Sequence, residues 1–200
     1  MKKTGRILMR SIFLSLLVAS SAQADAQADV QADNLQTLLN QSRQAAKTLG
    51  MELKQTLQMS MKKKGPVDSI SVCNMKAPEI TARVSLEKNM KVARTSLKVR
   101  NPENKPDAWE ENVLKDFEKR KEQGEPVKQM EYFELTKRNG ENVFRYMKAI
   151  PTGEVCLTCH GENVSGLLAG KIHSLYPDDR ATGFNTGDIR GAFTVTIEVQ

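Results

Sequence analysis

Aromatic residues are scarce, at 5% of the 200 residues, with a single tryptophan. A core of this size is then lean in flat apolar surface, which leaves room for a bound group to supply it. Histidine occurs twice and cysteine three times. Three is an odd number, so a disulfide framework cannot use every thiol. No long hydrophobic run is present: the longest apolar stretch, Ile12–Ala19, is well short of the roughly 20 residues that span a bilayer. A true basic excess is also missing. The chain has 30 Lys+Arg against 24 Asp+Glu, but residues 1–24 hold four of the bases and no acid, leaving 26 against 24, a net of +2. The high isoelectric point therefore gives no footing to nucleic-acid binding, and no nucleic-acid partner is expected.

What is present begins with a leader. Lys2, Lys3, Arg6 and Arg10 form a positive region, Ile12–Ala19 an apolar one, and Ala22-Gln23-Ala24 a small-x-small cleavage site. Residues 1–24 are expected to be a cleavable signal peptide, with Asp25 the mature N-terminus and the bacterial periplasm the destination. The alternative is an uncleaved N-terminal anchor. Residues 25–33 continue a tetrapeptide repeat and are expected to be a low-complexity linker, followed by one domain over 34–200.

Leu35, Leu38, Leu39, Ala45, Ala46, Leu49, Leu53 and Leu57 keep helical spacing, with Asp33 or Asn34 as cap and Gly65-Pro66 as stop. Such a helix packs its stripe on the domain or on a second copy of the chain. Val67–Met75 is a candidate second helix, and Pro78 a candidate start for a third over Pro78–Leu86. Lys91–Val99 alternates as a half-buried strand with Arg94, Ser96, Lys98 and Arg100 on one side. Asp107–Lys121 predicts a helix carrying Trp109, Val113, Leu114 and Phe117. Val127–Thr136 and Asn142–Ile150 predict strands joined by Asn139-Gly140, a strong hairpin signal. Gly191–Val199 alternates most clearly of all. Antiparallel strands interleaved with helices predict an α+β domain.

Cys156-Leu157-Thr158-Cys159-His160 is C-x-x-C-H, the attachment signature of c-type haem. Thiols three residues apart lie on one side of a helical turn and can both add to vinyl groups along one porphyrin edge. The next residue, His160, can then serve as the proximal iron ligand. Thr152 can cap this short helix and Gly161 can end it. Two alternatives use the same residues. A Cys156–Cys159 redox disulfide lacks the surrounding thioredoxin-like pattern. A zinc site adding Cys73 requires ligation by the adjacent Cys159 and His160, an awkward chelate.

Cys73 is left over. One reading makes it a small buried hydrophobe. Another makes it the distal iron ligand as a thiolate, its pKa lowered by the metal and by Arg94, Lys98 and Arg100. Met75, Met130, Met147 and His173 are rival distal ligands. Arg94 and Arg100 are also candidate partners for haem propionates.

Four stretches carry a resemblance: Ile70–Pro78 (ISVCNMKAP), Arg94–Glu110 (RTSLKVRNPENKPDAWE), Cys156–Gly161 (CLTCHG) and Tyr176–Gly191 (YPDDRATGFNTGDIRG). The chain resembles the bacterial periplasmic c-type haem-binding domains with a PAS-like fold, formerly a domain of unknown function and proposed as redox or gas sensors. The resemblance implies a PAS-like antiparallel sheet with a long N-terminal helix and a short C-x-x-C-H helix. It implies one covalent haem c per chain, with His160 and Cys73 as axial ligands. It also implies a homodimer through the N-terminal helix.

A thiolate ligand stabilises iron(III), which predicts a low potential. On reduction Cys73 would take a proton and leave, opening a site for CO or NO. The expected role is a redox or diatomic-gas sensor acting through a separate signalling or redox partner. The alternative is a small electron-transfer cytochrome. No acid–base constellation stands apart from the haem ligands, so an enzyme is not expected.

Overall fold

A computed structural model describes residues 17–199, with side chains from Ala32 onward. The basic residues of the expected leader, Lys2 to Arg10, lie outside the described residues. The described residues divide into two compact units between Leu38 and Leu39. The first contains the beginning of α1 (Leu17–Lys88), so the repeat at residues 25–33 is helical. Alanine and glutamine, which fill more than half of that repeat, are good helix formers. Asp33 and Asn34 therefore lie inside the helix and do not cap it.

Within the second unit α1 is interrupted at Gly65, whose φ of 74° and ψ of 177° suit only glycine. Pro66 restarts the helix, where its missing N–H is no loss. The two arms fold back on each other. Ser69 Oγ donates to the Gly65 carbonyl at 2.7 Å and accepts from Ser60 Oγ at 2.8 Å, and Arg83 pairs with Glu52 across the arms. The second arm runs unbroken through Pro78, which does not start a new helix. Pro78 is exposed, so water can take the carbonyl that its ring leaves unpaired.

The sheet has four antiparallel strands in the order β1-β4-β3-β2: β1 (Lys91–Thr95), β2 (Glu131–Arg138), β3 (Glu141–Pro151) and β4 (Ile189–Glu198). Asn139 and Gly140 turn β2 into β3 with φ of 54° and 89°, as their side chains permit. β1 is shorter than its alternation predicts. Ser96 Oγ donates to the Arg190 carbonyl at 2.8 Å and accepts the Lys98 N–H at 3.2 Å, bending the chain away after Thr95.

Both faces of the central strands are covered. On one, α2 (Ala108–Glu122) buries Val113, Leu114 and Phe117 against Met130, Met147, Ala149, Ile189 and Ala192. Asp107 and Glu110 close a reciprocal capping box at the start of α2. On the other face the Phe193 ring lies over Gly50 of α1. β4, the strand whose alternation is clearest in the sequence, is thus covered on both sides. Two short helices, α3 (Glu154–His160) and α4 (Gly166–Leu175), connect β3 to β4. Among the described residues no helix is long and apolar enough to cross a membrane.

Candidate functional site

α3 carries Cys156, Cys159 and His160. Its cap is Gly153, not Thr152, and no side chain caps it. Thr152 is held from the other direction: its N–H donates to Asp188 O at 2.7 Å and its carbonyl accepts the Gly187 N–H at 2.8 Å, which leaves its buried hydroxyl without a partner. Gly161 does end the helix, in an ordinary extended conformation. A Cβ there would sit 2.7 Å from the Leu157 carbonyl, so close approach requires the glycine.

His160 is held by the loop between α4 and β4. Its Nδ1 lies 2.6 Å from the Ala181 carbonyl and can only donate to it, so Nε2 is the bare nitrogen. The Phe184 ring stands edge-on to the imidazole at 6.3 Å. Backbone bonds join the same pieces: Phe184 N to His160 O at 3.0 Å and Gly183 N to Gly161 O at 3.1 Å. Burial, followed by the charges of Arg190, Arg100 and Arg94, pushes the His160 pKa well below its ordinary value. The imidazole is neutral at physiological pH, the form that binds metal.

All three cysteines are free thiols, each half-buried. Cys159 packs beside Ile70 of α1 and Leu168 and Ile172 of α4, together with Tyr176. Cys73 lies on the second arm of α1, close enough that its charge affects Cys159. Burial pushes the Cys73 thiol up, and the charges of Arg94 and Arg100 pull it down without overcoming that push. The depressed pKa expected from the neighbouring bases is therefore not what the protein alone provides. The Asn74 side chain sits beside the Tyr176 hydroxyl, which places the Cys73 segment next to the end of α4.

The three bases expected on one strand face separate. Lys98 is exposed, with Nζ 5.1 Å from the Phe184 ring centre. Arg100 is held by protein groups: Nε and Nη2 grip Asp179 at 3.1 and 3.0 Å, and Nη2 also donates to Cys159 O at 2.6 Å and Ala181 O at 3.3 Å. Arg94 makes no hydrogen bond or ion pair with a described residue, and burial holds its pKa below the arginine norm. A fourth base, Arg190, was not anticipated. Burial and the charges of Arg100 and Arg94 bring it down to about 10, and its buried Nε has no acceptor. Its signal in the sequence was its place in the Tyr176–Gly191 stretch.

The rival distal ligands divide into two groups. Met130 and Met147 are consumed in the core under α2, while Met75 and His173 are exposed. A cavity of about 250 Å³ is lined by Lys98, Glu118, Lys121, Phe184 and Asp188 among others, but by none of Cys73, Cys156, Cys159 and His160. Among the described residues no three His, Cys, Asp or Glu side chains gather as a cage for a bare metal ion, which counts against the zinc alternative.

Fold and site together define a class: an α+β domain with a long helical hairpin, an antiparallel sheet and a Cys-x-x-Cys-His helix near a third thiol. The particular family follows. The sequence model of the Tll0287-like family matches residues 21–198, and the chain belongs to that family. Among solved structures it is similar to the cyanobacterial heme-protein Tll0287, with a TM-score of 0.58 at 23% identity over 84% of this chain and 96% of that one. No curated protein matches.

Proposed function

We propose that this chain is an exported haem c protein of the periplasm that senses redox state or a diatomic gas. One haem would be attached through Cys156 and Cys159, with His160 and Cys73 as axial ligands. The observation that carries this reading is the state of His160: buried, neutral, its Nδ1–H given to a backbone carbonyl, and its Nε2 bare beside two free thiols on one helical turn. A metal-binding histidine is usually oriented in this way by its other nitrogen. The donor set fits as well. Two protein ligands are too few for a bare ion but suffice where a macrocycle brings four nitrogens. The heme-protein found among similar solved structures, and the α+β arrangement of a long helix and a four-stranded antiparallel sheet, support the same assignment.

When bound, the group supplies an iron that changes oxidation state and can accept CO or NO. The chain does the rest. His160 holds its orientation through Ala181. Cys73, whose thiol is favoured by burial, ionises only with a metal beside it and takes back a proton on release. Arg94 and Arg190, which lack carboxylate partners, are the cations for the propionates. The signal would pass to a separate partner protein or to a second copy of the chain through α1. The tight hold on His160 would equally serve an electron carrier, which needs little rearrangement. Slow, weak CO binding by the reduced protein would favour the carrier, and ready binding the sensor.

The test is a pyridine haemochrome assay and mass measurement on protein made with the haem-attachment machinery, followed by EPR of the oxidised form and of Cys73→Ser. One haem per chain is expected, with a low-spin thiolate signal that Cys73→Ser abolishes. A colourless product refutes the haem assignment, and an unchanged signal removes Cys73 as ligand.

A further inference from the structure

We infer that Arg100 and Asp179 are positioning residues for the imidazole of His160. This rests on the haem reading only for its purpose, since the geometry belongs to the chain alone. The pair is largely buried, with side chains 11% and 9% exposed, and the guanidinium meets the carboxylate through two parallel bonds. Such a fork fixes orientation as well as separation. Around it, four groups converge. Arg100 Nη2 donates to Cys159 O at 2.6 Å, which fixes the last turn of α3. Asp179 Oδ1 accepts the Ala181 N–H at 2.9 Å, which fixes the peptide whose neighbouring carbonyl faces His160. Arg100 Nη2 also reaches Ala181 O itself at 3.3 Å. Ala181 O then accepts from His160 Nδ1 at 2.6 Å.

The ion pair therefore reinforces, at the imidazole itself, a contact that the Phe184–His160 and Gly183–Gly161 backbone bonds also make: the turn that presents the imidazole meets the loop that selects its tautomer. A surface ion pair would contribute little to either. Here Arg100 also donates to the backbone of both segments, at Cys159 O and Ala181 O, and Asp179 accepts from the backbone of the second, at Ala181 N–H. Losing the fork frees the Ala181 carbonyl to drift, and the Nδ1–H tautomer loses its preference over Nε2–H. The bare Nε2 is the atom the iron would need, so the pair determines whether His160 is ready before the group arrives.

The experiment uses the full chain in haem-free and haem-loaded forms, with Arg100→Gln, Arg100→Lys, Asp179→Asn and the control Arg120→Gln, which breaks a comparable ion pair with Glu125 elsewhere. In the haem-free chain, ¹⁵N shifts of the His160 ring report the tautomer ratio. The wild type and Arg120→Gln should be overwhelmingly Nδ1–H, and the Arg100 and Asp179 variants should lose at least fivefold of that preference. Arg100→Lys keeps the charge but not the fork, and should fail to rescue. In the loaded form the same variants should keep their haem mass and show a second low-spin EPR species. Unchanged tautomer ratios in folded Arg100→Gln and Asp179→Asn would overturn the proposal. So would unfolding of all three site variants, which would make the pair a support of the fold and not of the imidazole. A wild type that takes up no haem would sink the haem reading, while the tautomer measurement would still decide this one.

Discussion

Replacing Arg145 by methionine tests how α2 is fastened to the sheet. The Arg145 side chain is 6% exposed, with Nη2 2.8 Å from Asp107 Oδ2 and 3.3 Å from Glu110 Oε1. Its guanidinium lies 4.0 Å from the Trp109 ring centre. A hydrogen bond to a charged group contributes about 1.5–3 kcal/mol, and the low end applies because Asp107 is 41% exposed and already meets water. The desolvated cation–π contact adds about 1–2 kcal/mol. Methionine keeps the apolar stem and removes the buried Nε that finds no acceptor, which returns about 1 kcal/mol. Of the carboxylates left behind, Asp107 turns to water and Glu110 keeps the Thr194 hydroxyl at 2.8 Å. The net loss is about 2 kcal/mol, or roughly 1 M in the urea midpoint at a typical m-value. The pH dependence has a definite sign. Burial pushes the Asp107 carboxyl up, but the Arg145 hydrogen bond, the Glu110 N–H and the Arg145 charge outweigh it and hold the folded pKa below the usual value. That contribution is present above the unfolded pKa and lost as pH falls through the folded one. The wild-type and variant stabilities should therefore converge in acid. A loss under about 0.5 kcal/mol, or a gap that stays constant from neutral pH down to about pH 2, would refute the reasoning.

Two backbone positions give further tests. Gly65→Ala should cost about 1–3 kcal/mol in thermal unfolding from φ/ψ strain alone, since nothing lies within 4 Å of the added Cβ; a neutral result would mean that the helix break had moved. Gly161→Ala has ordinary dihedrals and should instead lose about 1–3 kcal/mol by pressing Cβ into the Leu157 carbonyl. Under the proposed function the same change should lower the haem-loaded fraction by mass spectrometry, and full loading would show that the end of α3 adapts freely.

Local chemistry was legible wherever neighbours in sequence settle the structure. Asn139-Gly140 supplies its own left-handed turn, Asp107 and Glu110 close their own capping box, and the alternation of β4 identifies a strand. The thiol–thiol–imidazole order of α3 was equally plain. Contacts across the chain were not. Alternation put Arg94, Lys98 and Arg100 on one face, but the Ser96 hydroxyl ends β1 first, and a residue 79 positions away decides what Arg100 does. Pro78 suggested a helix start because propensity favours it there, whereas packing carries the helix straight through. Arg190 lay just before the expected strand Gly191–Val199 and had no assigned role; only its burial beside Arg94 and Arg100 brings it into the site.

The charges at the site do not balance, and this ties the two ends of the proposed mechanism together. Arg94, Arg100 and Arg190 act on one another and on His160, while the carboxylate bonded within the group, Asp179, is committed to Arg100. Arg94 and Arg190 have no carboxylate to pair with; desolvated charges left in that state are costly, and a fold keeps them where an anion is due. Under the haem reading the anions are two propionates and the thiolate of Cys73. These compete for the same cations, because Arg94 is both a propionate candidate and the larger of the two charges drawing Cys73 toward ionisation. A propionate seated on Arg94 would weaken that draw and leave the metal as the main force holding the thiolate. A thiolate held chiefly by the metal is released when the metal's hold weakens, and burial then favours its protonated form. The excess of arginine and the buried thiol would thus act together, making the distal bond one that a change at the iron can break.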